Sequence, residues 1–170
     1  MRTFATALVI AGLCSAALAQ PTVFWASDPV QPDDTVLVCG DGFTDAPTVR
    51  LAVLADGDAG SPGQALAWPD ESAQVEALQA GDQSLKFVLP ADTAPGAYAF
   101  HIETADGASL PVRLNCPTPY WSQGDAGVTA SPGGWVRVFG RCVGSDAAAW
   151  LLLRPTAGGE GVRILGSTEN

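Results

Sequence analysis

The sequence predicts an all-β chain, an antiparallel sandwich followed by a second and incomplete copy of itself. Three observations lead there. Short apolar runs alternate with period two, and turn residues interrupt them about every 8–12 positions, the spacing of a sandwich. No ten-residue stretch has convincing helical periodicity; Ser72–Leu78 alone is ambiguous. The third is a repeat, which decides the whole architecture when present. Pro32-Asp-Asp-Thr-Val-Leu-Val-Cys-Gly40 returns 100 residues later as Pro132-Gly-Gly-Trp-Val-Arg-Val-Phe-Gly140. The match extends past that core, pairing Phe43 with Val143, Leu51 with Leu151 and Val53 with Leu153.

The chain opens with a leader. Met1-Arg2 is a short positive segment, Ala5 to Leu18 is apolar and small, and Ala17-Leu18-Ala19 precedes Gln20 as an A-x-A-like cleavage site. Residues 1–19 therefore read as a secretory signal peptide, too short to span a membrane. Leu13 before Cys14 is bulky, which disfavours a lipoprotein site. A secreted protein is expected, extracellular or periplasmic, and not membrane-spanning.

Thr22–Ala26 is the first strand, aromatic and β-branched. Thr35–Cys39 is the second, bounded by Pro32-Asp33-Asp34 and Gly40-Asp41-Gly42, all turn residues. Val49, Leu51 and Val53 alternate with Arg50 and Ala52. Leu85, Phe87 and Leu89 alternate and stop at Pro90. Tyr98, Phe100 and Ile102 form one face of the next strand, with His101 on the other. Asp106-Gly107 signals a hairpin into Leu110, Val112 and Leu114. The expected core is Val36, Val38, Leu51, Val53, Phe87, Tyr98, Phe100, Ile102, Val112 and Leu114. The first sandwich occupies residues 20–116. Cys116-Pro-Thr-Pro119 follows as a stiff joint over 117–119, where two prolines oppose strand continuation.

The second copy occupies 120–170. Tyr120-Trp121 echoes Phe24-Trp25 at an offset of 96, so about four extra residues precede Pro132. Its expected early strands are Val128–Ala130, Trp135–Phe139 and Trp150–Leu153. Counterparts of the last three strands of the first copy fall beyond Asn170.

Charge and chemistry restrict function. Residues 22–116 hold 14 acids against Arg50, Lys86 and Arg113, a net charge of −11, while 117–170 balance four acids with four arginines. Such a surface repels a phosphate backbone, which excludes nucleic acid as a partner. The plain reading of the acidity is solubility outside the cell. The alternative is a divalent cation held by Asp41, Asp45, Asp56 and Asp58, although their spacing matches no complete calcium loop. No cofactor is expected. Cleavage leaves Cys39, Cys116 and Cys142. Connectivity is not readable from sequence, but if one bridge forms, Cys39–Cys116 is the expected pair because both lie in the first module. His101 is the only histidine and is expected to be solvent-exposed, with no G-x-S-x-G elbow to accompany it.

Aromatic residues are the remaining candidates. Trp68, Tyr120, Trp121 and Trp135 are candidate ligand contacts, since flat rings pack against sugar faces. The competing role is packing: Trp25 and Trp121 recur at the same place in both copies, which favours structure. Trp135 replaces Thr35 opposite in face to Val136 and Val138, so it points outward.

The pattern P-x-x-x-V-x-V-x-G-x-x-F, with Pro95-Gly96-Ala-Tyr98 ahead of a late strand, resembles the immunoglobulin-like IPT/TIG modules. Pro119-Tyr-Trp-Ser-Gln-Gly-Asp125 and Ala130-Ser-Pro-Gly-Gly-Trp-Val-Arg-Val-Phe-Gly-Arg141 are similar to the paired N-terminal modules of some secreted bacterial right-handed β-helix proteins of the pectate-lyase superfamily. The resemblance covers residues 22–170. It implies a non-catalytic spacer or docking pair at the front of a longer, carbohydrate-active protein, with the downstream domain as its partner and no enzyme activity of its own. The alternative is a stand-alone module binding polysaccharide or a cell-surface glycan.

Overall fold

The computed structural model describes residues 20–44, 46–55, 64–143, 150–153 and 157–166. Residues 1–19, expected to be a leader and including Cys14, and the cation candidates Asp45, Asp56 and Asp58 lie outside them. Every described element is a strand and every strand pairing is antiparallel. No helix of the described residues is long and apolar enough to cross a membrane.

The first unit has eight strands: β1 (Thr22–Ala26), β2 (Thr35–Asp41), β3 (Thr48–Val53), β4 (Ala73–Val75), β5 (Ser84–Val88), β6 (Tyr98–Thr104), β7 (Gly107–Ala108) and β8 (Val112–Leu114). One sheet runs β1-β2-β5. The other runs β4-β3-β6, with β7 and β8 both pairing β6. Period-two alternation directs the apolar set inward. Val36 and Val38 from β2, Leu85 and Phe87 from β5, Val49 and Leu51 from β3, Tyr98, Phe100 and Ile102 from β6, and Leu114 from β8 make one buried cluster with Val30, Phe43 and Leu89. Phe87 and Phe100 meet across the sandwich with ring centroids 5.3 Å apart. Each such side chain contributes about 1.5–3 kcal/mol on burial.

Two expectations about this core, at Val53 and Val112, and one about the strand after the Asp106-Gly107 hairpin, at Leu110, need correction. Val53 is exposed: β3 ends there, Leu54 N–H donates to the Ala97 carbonyl, and Leu54 is buried in its place. Leu110 is exposed, because the hairpin ends at Ser109, whose N–H and hydroxyl both engage Ile102 of β6. Val112 is only half-buried at the core margin. The ambiguous stretch Ser72–Leu78 is extended, giving β4 and an isolated bridge from Leu78 to Lys86.

The second unit has β9 (Thr118–Gly124), β10 (Val136–Arg141), β11 (Trp150–Leu153) and β12 (Val162–Leu165). β9 pairs β10, and β11 pairs β12. The joint is shorter than expected: β9 starts at Thr118 and includes Pro119, which an edge strand tolerates at an irregularity of the ladder. Val128–Ala130 is not a strand. Gly124 and Gly127 exchange backbone hydrogen bonds in a tight turn, leaving Val128 fully in solvent. β12, after the left-handed Gly158 and Gly159, has no counterpart among the expected strands.

The repeat survives in the pairing register. In the first unit Thr22 faces Asp41, Trp25 faces Cys39 and Ala26 faces Val38. In the second Thr118 faces Arg141, Trp121 faces Phe139 and Ser122 faces Val138. Offsets of 96 on one strand and 100 on the other reproduce each pair. Both ladders also slip at the same place, between Val23 and Trp25 on β1 and opposite Phe139 and Gly140 on β10, leaving Phe24 and Tyr120 as the extra residues. Gly40 and Gly140 share a role too. A Cβ at Gly40 would overlap the Thr22 carbonyl oxygen and the Phe43 ring, and one at Gly140 would overlap the Thr118 carbonyl oxygen.

Candidate functional site

The bulges govern what the paired strands display. A bulge adds one residue, bends the strand and re-aims the side chains beside it. Phe24 and Tyr120 are each 71% exposed, and the following Trp25 and Trp121 are 54% and 55% exposed. Recurrence therefore does not mean core packing for these tryptophans: both copies hold the aromatic pair at the surface.

The second unit extends that surface. Trp135, the residue before β10, continues the side of that strand that carries Arg137 and Phe139, away from Val136 and Val138. The register sets Gln123 beside Arg137 and Trp121 beside Phe139. Trp121 and Phe139 stack with centroids 4.7 Å apart and planes at 29°. The Arg137 guanidinium lies 5.6 Å from the centre of the Trp135 ring, within cation–π range. Trp135 is half exposed, as expected. The result is one side of the β9–β10 ladder that carries two tryptophans, a phenylalanine, a guanidinium and an amide, with the Trp121 and Phe139 rings stacked on each other. Rings of this kind stack on the C–H face of a sugar, and the guanidinium and amide can bond its hydroxyls.

Of the sequence candidates, Trp121 and Trp135 come together on this face, and Tyr120 flanks it at the bulge. Trp68 does not join them. It lies on the first unit, half-buried, with its ring centroid 4.1 Å from that of His101. That contact also corrects the expectation for His101, whose side chain is only 12% exposed and holds Glu103 Oε1 at 3.0 Å through Nε2. Arg50 on the neighbouring strand donates to the Ser72 hydroxyl at 2.9 Å. Arg137, Phe139 and Gln123 were not among the sequence candidates. The period-two spacing of Trp135, Arg137 and Phe139 was the available signal; Gln123 is found only through the register.

The turn leading into this face is set by Asp125. Its carboxylate accepts the Ser131 N–H at 2.9 Å, and hydrogen bonds from Ser131 hold it below the usual carboxylate range. Among the described residues no three His, Cys, Asp or Glu side chains converge on a metal-sized site, and Asp41 sits exposed at the end of β2.

Cys39, Cys116 and Cys142 all carry free thiols, and the fold disfavours the expected Cys39–Cys116 pairing. The reason is positional. Cys39 sits on the outer side of β2, opposite Trp25 and Ser84, whereas Cys116 leaves the other sheet after β8. The sandwich core lies between them.

The sequence matches no protein-family model and no curated protein.

Proposed function

We propose that this chain is a non-catalytic pair of immunoglobulin-like β modules in an exported protein, a spacer and docking part ahead of a carbohydrate-active domain in the same polypeptide. One observation carries the proposal. The β9–β10 pair keeps the register of β1–β2 at offsets of 96 and 100, while apolar side chains of the second unit remain in solvent. Leu153, Val162 and Ile164 share one side of the β11–β12 pair and are exposed, as are Val136 and Leu165, and apolar side chains grouped in solvent mark a surface that further chain or a partner covers. The leader-like residues 1–19 support export, and the division of strands into β1-β2-β5 and β4-β3-β6-β8 supports the IPT/TIG likeness.

The test is to read the gene past Asn170 and compare this chain with its natural extension. Sedimentation should show self-association of the 170-residue chain and a monomer once the following residues are restored. A chain that is monomeric with no extension overturns the proposal. Neither form should cleave pectin, alginate or other polysaccharides; turnover lost on changing one pair of acids would contradict a non-catalytic role.

A second function, glycan binding by this chain alone, is favoured by the Trp121–Phe139–Arg137–Trp135 face. Tryptophan fluorescence titrated with polysaccharides should then saturate, and Trp135→Ala should abolish the response.

A further inference from the structure

Asp28, just after β1, joins the two units. Its Oδ1 accepts the Asn115 N–H at 2.9 Å, and its Oδ2 lies 3.1 Å from Arg141 Nη2. Asn115 is further fixed by its side chain, which accepts from Val30 N–H and donates to the carbonyls of Val30 and Gly96. The residue after Asn115 is Cys116, and the residue after Arg141 is Cys142. One carboxylate thus holds the two chain segments that carry these thiols.

The strand register narrows the separation. Thr118 faces Arg141, so one step further Cys142 comes level with Pro117, with Cys116 the next residue along. A ladder continued by that step, with strands about 4.8 Å apart and a stagger of one rise of about 3.4 Å, would put the two Cα atoms roughly 6 Å apart. A disulfide needs about 4.4–6.8 Å. In a regular pleat a one-residue stagger turns the side chains to opposite faces. Here Cys142 has φ of 55°, in the left-handed region, which removes it from the pleat. Both thiols are half-buried and free.

We propose that Cys116 and Cys142 form a disulfide that locks the β9–β10 pair onto the exit of the first unit. The bridge closes residues 117–141 into a loop and makes the Asp28–Arg141 contact part of a fixed joint. The second unit is then held in place even where its apolar side is uncovered. Cys39, on the outer face of β2, stays reduced.

The reaction is thiol–disulfide exchange with a disulfide oxidant such as oxidised glutathione. One thiolate attacks a glutathione sulfur, forms a mixed disulfide and expels a glutathione thiolate. The second thiolate then attacks the protein sulfur and expels the other glutathione. The protein loses two protons and two electrons, which the oxidant takes up to become two thiols. Burial pushes both thiols above the ordinary range. At Cys116, Arg113 and then Arg141 oppose this, while Asp28 and Cys142 add to it; at Cys142, Asp28 adds and Arg141 opposes. Thiolate is scarce at neutral pH, so bridge formation accelerates as pH rises.

The supply of oxidant rests on the export reading, and two experiments separate the claims. The first uses the whole chain carrying Cys14→Ser and Cys39→Ser, reduced and then incubated with oxidised glutathione. The expected result is a mass lower by about 2 Da, two hydrogens per bridge, with tryptic peptide 114–137 joined to 142–163. Two thiols still free after prolonged alkaline incubation, or bridges only between molecules, would overturn the pairing. The second uses the natural chain recovered from the periplasm or medium, where the same linked peptide is expected and Cys39 should alkylate without reduction. A Cys39 linked to Cys116 or Cys142 there would also overturn the pairing. A bridge that forms in glutathione but is missing from the exported chain would overturn the bridge as a feature of the natural protein, whereas a chain found only in the cytoplasm would overturn the export reading instead.

Discussion

In the first unit β5 runs along β2 and β6 runs along β3, so both opening pairs acquire a third strand and face each other across a closed core. In the second, β9–β10 and β11–β12 each stand as a pair, with no third strand among the described residues. The opening strands are otherwise alike, to the residue, in register, in the position of the bulge and in the glycine that meets the first carbonyl. Val36 is fully buried, whereas Val136, at the same register position, is 41% exposed. Register is thus a local property of two strands and a turn. Burial is supplied by strands that arrive later, and here Leu85, Phe87, Tyr98, Phe100, Ile102 and Leu114 supply it for the first unit alone. Paired strands without that cover are marginal in water.

The sharpest way to break this comparison is to remove one aromatic ring from each unit. Phe100→Ala, in the closed core, should cost about 3–5 kcal/mol of global stability in urea unfolding followed by circular dichroism. Phe139→Ala, on the outer face of β10, should leave the same unfolding midpoint within about 0.5 kcal/mol. Equal costs would mean that the second unit has a core of its own.

A smaller effect comes from the paired glycines. Gly40→Ala should lose about 1–3 kcal/mol, because neither the Thr22 carbonyl nor the Phe43 ring can retreat without repacking. Gly140→Ala should leave the main unfolding transition unchanged and separate Thr118 from Arg141, seen as loss of their nuclear Overhauser contacts. A shift of the main transition by Gly140→Ala would show that the two units unfold as one.

The smallest effect concerns acidity and should be confined to the second unit. Asp125 is held below the usual carboxylate range by Ser131. Its contribution is present above the unfolded carboxylate value and is lost as pH falls through the lower folded value. The Ser131 amide should therefore shift in proton–nitrogen spectra on acidification, while amides of β2 and β5 do not follow the same titration. Asp125→Asn should abolish that response.

Much of this contrast was legible in the residues. Alternation located β2, β3, β5 and β6 and chose the correct face for Val36, Val38, Phe87 and Phe100, because a buried sheet face enforces period two. It failed at Val53, which still pairs with Tyr98 but ends β3 on the exposed side, where Leu54 takes the buried place. The two offsets, 96 and 100, were visible, but the bulge at Phe24 and Tyr120 was not, since a bulge exists only in a pairing. Trp135 could be placed outside by parity alone. Its grouping with Trp121 required the register, and the cover that Trp68 gives His101 required a loop far away in sequence. The Cys116–Cys142 approach was hidden for the same reason, being set by Asp28 and by the β9–β10 ladder.

Amide hydrogen exchange of the whole chain measures the difference between the units most directly. The backbone bonds of β2 to β1 and of β10 to β9 are alike in register, but β2 is also paired with β5 and covered by the second sheet. Val36, Leu37 and Val38 should exchange only through global opening, with protection at the level of the first unit's full stability. Val136, Arg137 and Val138 should exchange faster by orders of magnitude, through local opening that leaves the first unit intact. Equal, strong protection of both sets in a monomeric chain would contradict the claim that the second unit repeats the opening strands of the first without its closed core.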